Sequence, residues 1–166
     1  TVREAVEAGI TFLDVAPSYG NGEAESVIGE AFEGRLPDGV RVSTKCRLDN
    51  PAPDEVRPLL EKSLDESLSR MKLEEVDLFF LHGQIVPDGV GGYEGTPLRL
   101  FMEVVRPAFE ELRSRGRIGA WGITGIGVPS AVIDTIGDDP APAAVQVVAN
   151  LLDSVGSMKR FDEPAQ

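Results

Sequence analysis

The sequence predicts an α/β fold built on a parallel sheet, of the (β/α)8 or TIM-barrel type. Three observations carry that prediction. Short apolar runs alternate with segments of helical periodicity from one end of the chain to the other, and strict alternation means parallel strands covered by helices. The runs end near residues 15, 45, 82, 124 and 148, mostly at the spacing of a βαβ unit, about 30 residues or more. Asp14, Lys45 and His82 stand at the ends of three of them, and a parallel barrel carries its reactive groups at the C-terminal ends of its strands. An open doubly-wound sheet usually shows a glycine-rich phosphate turn after its first strand. Gly20-Asn21-Gly22 is too short to be one.

Taken in order, Thr1-Val2-Arg3-Glu4 fits a capping box that opens a helix ending at Gly9. Ile10–Val15 reads as the first strand, followed by a loop with Tyr19 and Gly20-Asn21-Gly22. Ala24, Val27, Ile28, Ala31 and Phe32 fall at helical spacing, which predicts a helix over Glu23–Phe32. The β-branched run Val40–Lys45 is a strand. From Asp54 to Met71 the apolar positions are helical, with Pro58 in an early turn. Val76–Leu81 is almost wholly apolar, as suits a strand covered on both faces.

Gln84–Thr96 is a glycine-rich loop with the character of a mobile substrate lid. A helix follows from Pro97 or Leu98 to Arg115, kinked at Pro107, then a strand Ile118–Thr124. Val128–Ile136 reads as a helix, Ala143–Val148 as a strand, and Leu151–Gln166 as an irregular polar tail.

Composition narrows the function classes. The chain has 166 residues, suited to one domain but short of the roughly 250 of a closed barrel. A net charge of -12 disfavours binding to nucleic acid or anionic membranes. A single cysteine, Cys46, permits no internal disulfide, and with one histidine it cannot build a structural zinc site. No apolar run approaches a membrane span of about 20 residues and no signal peptide is visible, so a cytoplasmic setting is the default expectation.

The strand-end residues make a coherent proton-delivery device. A tyrosine phenol has an ordinary pKa of about 10, too high for easy exchange at neutral pH. A neighbouring ammonium favours the phenolate. Tyr19 then serves as general acid, Lys45 tunes it, Asp14 anchors Lys45, and His82 orients a carbonyl. Such a device protonates oxygen, and a hydride from a nicotinamide cofactor would complete the reaction at carbon. Trp121 is a candidate wall of the substrate pocket, with packing in the barrel core as the alternative. Cys46, beside Lys45, reads as a buried spectator.

Four stretches carry a family resemblance. These are Ala8–Gly20, Ser43-Thr44-Lys45, Asp77–His82 and Leu112–Thr124. In that order they resemble the aldo-keto reductases, NAD(P)H-dependent (β/α)8 barrels. The resemblance implies Asp14, Tyr19, Lys45 and His82 as the catalytic tetrad, with NADP(H), or NAD(H), as cofactor and a small carbonyl compound as substrate. It implies cofactor contacts at Thr124, Gln146 and Asn150.

It also implies a single partial barrel domain over residues 1–166, without the first strand and the last two strand–helix units. Two positions depart from the family pattern. Thr124-Gly125 replaces a Ser-Asn pair, and Ala149 replaces an aromatic between Gln146 and Asn150. Two other readings stay open: a Schiff-base lyase using Lys45, and a non-catalytic binding relative.

Overall fold

A computed structural model describes residues 1–89 and 94–148. The expected lid overlaps 90–93, and Asn150, Ala149 and the tail lie outside the described residues.

The first helix, α1 (Val2–Glu7), is set by the predicted capping box. The Thr1 side chain accepts from the Glu4 amide, and the Glu4 carboxylate accepts from the Thr1 amino group at 2.6 Å. Its end is a Schellman turn. Gly9, at φ 102°, lets the Gly9 amide bond Val6 O and the Ile10 amide bond Ala5 O. The Ile10 amide is therefore spent on the helix, and strand β1 starts at Phe12 and runs to Asp14 rather than from Ile10.

Next come α2 (Glu23–Phe32), β2 (Arg41–Cys46), α3 (Pro53–Met71) and β3 (Val76–Leu81), each within a residue or two of expectation. The predicted loop after His82 is pinned at its ends. Strands β4 (Ile85–Val86) and β5 (Thr96–Pro97) pair in parallel, and Ile85 is fully buried.

The long helix expected to kink at Pro107 is continuous but changes pitch. Short α4 (Leu98–Leu100) leads into a π-helical turn (Phe101–Val105) and then α5 (Arg106–Ser114). Pro107 offers no N–H, and its ring would collide with the carbonyl four residues back in a regular helix. The wider turn absorbs it, with the Arg106 amide bonding Phe101 O five residues back. Strand β6 (Ile118–Thr124), α6 (Pro129–Gly137) and β7 (Ala144–Gln146) complete the described chain.

Five strands form one parallel sheet in the order β1-β2-β3-β6-β7. Its strand order follows the chain, the topology of a barrel wall rather than of a doubly-wound sheet. The curl brings the outermost strands together, for the Gln146 amide on β7 donates to Asp14 on β1 at 2.8 Å. The sheet is thus part of a (β/α)8 barrel.

Alternation along the strands divides the chemistry. One face meets the helices and forms the core. Val56, Leu60, Leu64 and Met71 of α3 and Phe109 of α5 pack there with Phe79, Leu81 and Trp121. The other face carries Asp14, Ser43 and Lys45.

Helices α2 and α3 approach closely at Gly29. A Cβ added at Gly29 would drive into the Arg70 carbonyl oxygen and lie 3.1 Å from the Met71 carbonyl carbon. Gly29→Ala gains up to about 1 kcal/mol of helix propensity, but the overpacking costs about 1–3 kcal/mol. A net loss of stability is expected, read as a lower urea midpoint; a midpoint at or above the wild type would show that the helices separate freely.

Candidate active site

The site begins with a buried charge. Lys45 has no exposure, and its Nζ donates to Asp14 Oδ1 at 2.9 Å and to Val15 O at 2.8 Å. One acceptor is the last residue of β1 and the other follows it, so the ammonium ties the end of β1 to β2. Ser43, two residues before Lys45 and on the same face, donates to Asp14 Oδ1 at 2.5 Å. With Gln146 on Oδ2, the carboxylate accepts from three side chains. Burial raises the Asp14 carboxyl, but the hydrogen bonds from Ser43, Lys45 and Gln146 and the Lys45 charge outweigh it, and the group sits below its ordinary value.

Tyr19 arrives from the loop after β1. Its amide bonds Ala16 O, and its carbonyl accepts from the Ala24 amide at the start of α2. Lys45 Nζ lies 4.6 Å from the centre of the Tyr19 ring, within the range of a cation–π contact. The ring meets His82 edge to face, with centroids 5.9 Å apart and planes at 88°. Tyr19 keeps 40% of its surface open to solvent.

His82 follows β3, held by its amide to Cys46 O at 2.7 Å. Burial first, and then the Lys45 charge, push its imidazole below the ordinary value, against the pull of Asp14. The shift favours the neutral ring, which can donate a hydrogen bond without carrying charge. Asp14, Tyr19, Lys45 and His82 therefore meet at the C-terminal ends of three neighbouring strands.

The proposed cofactor contacts fall beside them. Thr124 and Gln146 are register partners on β6 and β7. The Thr124 hydroxyl donates to Leu81 O at 2.8 Å, and Gln146 bonds Asp14. With those bonds made, the Thr124 oxygen can still accept and Gln146 keeps its Oε1 and a second N–H, groups that a nicotinamide carboxamide would fit. A Cβ at Gly125 would stand 2.6 Å from Val145 Cγ1 and 3.0 Å from Val147 Cγ1. Those two valines fill the space that a side chain at 125 would need.

Trp121 requires a correction. It is 1% exposed and faces the helices, neither the site nor the barrel interior. Its ring stacks on Phe109 at 5.7 Å, and Nε1 donates to Glu110 at 2.5 Å. Cys46 also points to the helix layer, where burial raises its thiol to about 11 against a hydrogen bond with Ser63. Sequence reasoning missed Ser43, whose place two residues before Lys45 already put it on the same face as Lys45. It also missed the Asp14–Gln146 bond, which no local pattern signals.

A parallel barrel wall thus gathers an Asp–Lys–Tyr–His cluster at its strand ends. The comparisons make this specific: residues 1–163 match the aldo/keto reductase family, and the chain belongs to it.

The Bacillus subtilis oxidoreductase YqkF is 32% identical over 129 residues, which are 74% of this chain and 38% of that protein. L-galactose dehydrogenase of Arabidopsis thaliana is 31% identical over 150 residues, 89% of this chain and 44% of that protein. A crystal structure of an aldo-keto reductase from Klebsiella pneumoniae in complex with NADPH superimposes with a TM-score of 0.65 at 26% identity, covering 89% of this chain and 46% of that one. The chain thus spans about two-fifths of the length of the curated relatives it matches.

The depressed imidazole has a consequence for stability. Unfolded His82 takes up a proton as pH falls through about 6.5, whereas the folded ring does so only at lower pH. Its contribution is whole above about 6.5 and is lost as pH falls through the folded value. Since His82 is the single histidine, its NMR titration midpoint is expected below 6.5. The urea midpoint of the wild type should fall more between pH 7 and pH 5 than that of His82→Gln. A midpoint at or above 6.5 would contradict the assignment of a neutral ring.

Proposed function

We propose that the protein is an NAD(P)H-dependent oxidoreductase that reduces an aldehyde or ketone, or oxidises the matching alcohol, with Tyr19 as general acid and base. The observation that carries this reading is the contact of the Lys45 ammonium with the Tyr19 ring, beside His82 and anchored by Asp14.

Bound nicotinamide would supply the hydride. The residues of this chain do the rest. His82, neutral and open to the strand ends, donates a hydrogen bond that orients the carbonyl oxygen. Tyr19 delivers its proton to that oxygen as negative charge builds there. Lys45 opposes the charge left on the phenolate, and Asp14 holds Lys45 while keeping the buried ammonium paired. Thr124 and Gln146, with Asn150 beyond the described residues, would hold the carboxamide of the nicotinamide.

Both nucleotides remain open to test. The Klebsiella pneumoniae neighbour carries NADPH in its crystal structure, whereas a methylglyoxal reductase of Escherichia coli, 27% identical over 144 residues, is NADH-specific by name. The Schiff-base alternative draws no support from the geometry. Lys45 Nζ is enclosed and bonded to a carboxylate and a carbonyl, so it is not placed to attack a carbonyl carbon.

Tyr19→Phe keeps the ring and its contacts and removes the proton. Turnover is expected to fall by about 10²–10⁴, with NADPH affinity unchanged in a fluorescence titration. Turnover equal to the wild type would refute Tyr19 as the acid.

A further inference from the structure

Among the described residues, one buried charged group stands outside the tetrad. Glu25, in the first turn of α2, is fully buried on the helix side of the sheet. Its Oε1 accepts from the Thr44 hydroxyl at 2.5 Å and its Oε2 from Arg70 Nε at 2.7 Å. Thr44 is also fully buried. Arg70, in the last turn of α3, also reaches Ser67 Oγ at 3.4 Å. Its stem lies over the corner at Gly22, where a Cβ would stand 2.9 Å from Arg70 Cδ.

Each end of this network is one step from a reacting group. Thr44 lies between Ser43 and Lys45 on β2. By alternation it faces the helices while its neighbours face the site, so a bond that fixes Thr44 fixes the pleat carrying Lys45. On the other side, Ala24, next to Glu25, donates its amide to the Tyr19 carbonyl, and Ser26 Oγ bonds Gly22 O. The first turn of α2 is thereby fastened to the loop that carries Tyr19.

A buried ion pair is weak evidence for a gain in stability, since apolar residues of similar size often serve as well. A network that joins the strand of Lys45 to the helix fastened to the Tyr19 loop calls for another role.

We propose that Glu25, together with Arg70 and Thr44, is a positioning residue that sets the contact between Tyr19 and Lys45 from behind the sheet. The proposal rests on the reading of Tyr19 and Lys45 as the proton-transfer pair. None of the three residues touches the reacting atoms.

Two variants of the full-length protein test it. Thr44→Val removes only the hydroxyl bond to Glu25. The double variant E25L/R70M replaces the whole ion pair, leaving no orphaned charge, and so guards against a failure to fold. Two readouts are taken. The first is the ring carbon resonance of Tyr19 in ¹³C-tyrosine-labelled protein, identified by its loss in Y19F. The second is steady-state reduction of 4-nitrobenzaldehyde by NADPH.

The Tyr19 resonance is expected to move in both variants. kcat should fall about tenfold to a hundredfold, the scale of a small misplacement of a catalytic group. KM for NADPH should hold within about twofold, because the nicotinamide contacts are untouched. A Tyr19 resonance unmoved in folded Thr44→Val overturns the proposal, and so does a moved resonance with unchanged kcat. A wild type that reduces no carbonyl with either nucleotide would instead refute the functional reading, while the resonance would still report whether Glu25 positions Tyr19.

Discussion

The structure depends on the burial of one ammonium. Lys45 has no exposed surface, and an unpaired charge in that position would be far too costly to keep. It stands because Asp14 and the Val15 carbonyl meet it at 2.9 and 2.8 Å. Asp14 in turn accepts from Ser43 and Gln146, so one carboxylate draws side chains from β1, β2 and β7 to a point. The curl of the sheet and the convergence of the site are the same arrangement. The ammonium must be paired, its partner must be satisfied, and the last donor comes from the opposite edge of the wall. Tyr19 and His82 then pack around a charge that cannot move.

Much of this was legible in the sequence because strand-end residues and caps are local signals. Thr1 and Glu4 announced the capping box of α1, the bounds of α2 followed from helical periodicity, and those of β3 from its apolar run. Asp14, Tyr19, Lys45 and His82 could be placed together because a parallel barrel gathers strand ends. Trp121 was misplaced although alternation already held the answer: it is three residues from Thr124, which puts the two on opposite faces. Pro107 marked a disturbance in its helix but not its form, since a kink and a wider turn both relieve the same clash. The Asp14–Gln146 bond joins residues 132 apart in the chain, and only the closing curvature of the sheet brings them together.

Gly125 shows how packing edits a family pattern. The resemblance leads one to expect a side chain there, near the nicotinamide contacts. The space belongs to Val145 and Val147, at 2.6 and 3.0 Å from where a Cβ would be. β-branched residues around β7 thus occupy the volume an amide would use. That leaves Thr124 and Gln146 to supply the polar groups in this part of the rim. The difference lies away from the Asp14, Tyr19, Lys45 and His82 cluster, which gathers at the ends of β1, β2 and β3.

The two faces of the sheet divide labour, but they are not independent. Phe79, Trp121 and Phe109 on the helix side make an aromatic core with no polar atom turned toward the site, and changes there act on stability. Asp14, Lys45 and His82 lie on the other side, where the proposed chemistry takes place. A β-strand is a single pleated ribbon, however, and consecutive residues share their peptide planes. Thr44 cannot shift without moving both Ser43 and Lys45. A carboxylate placed behind the sheet therefore has leverage over groups in front of it that it never touches. Glu25 occupies that position, and its second oxygen is held by an arginine that also covers the corner leading away from Tyr19. The helix layer of such a barrel is then more than insulation for the core: it can fix the reacting geometry from outside, through the backbone of the strand.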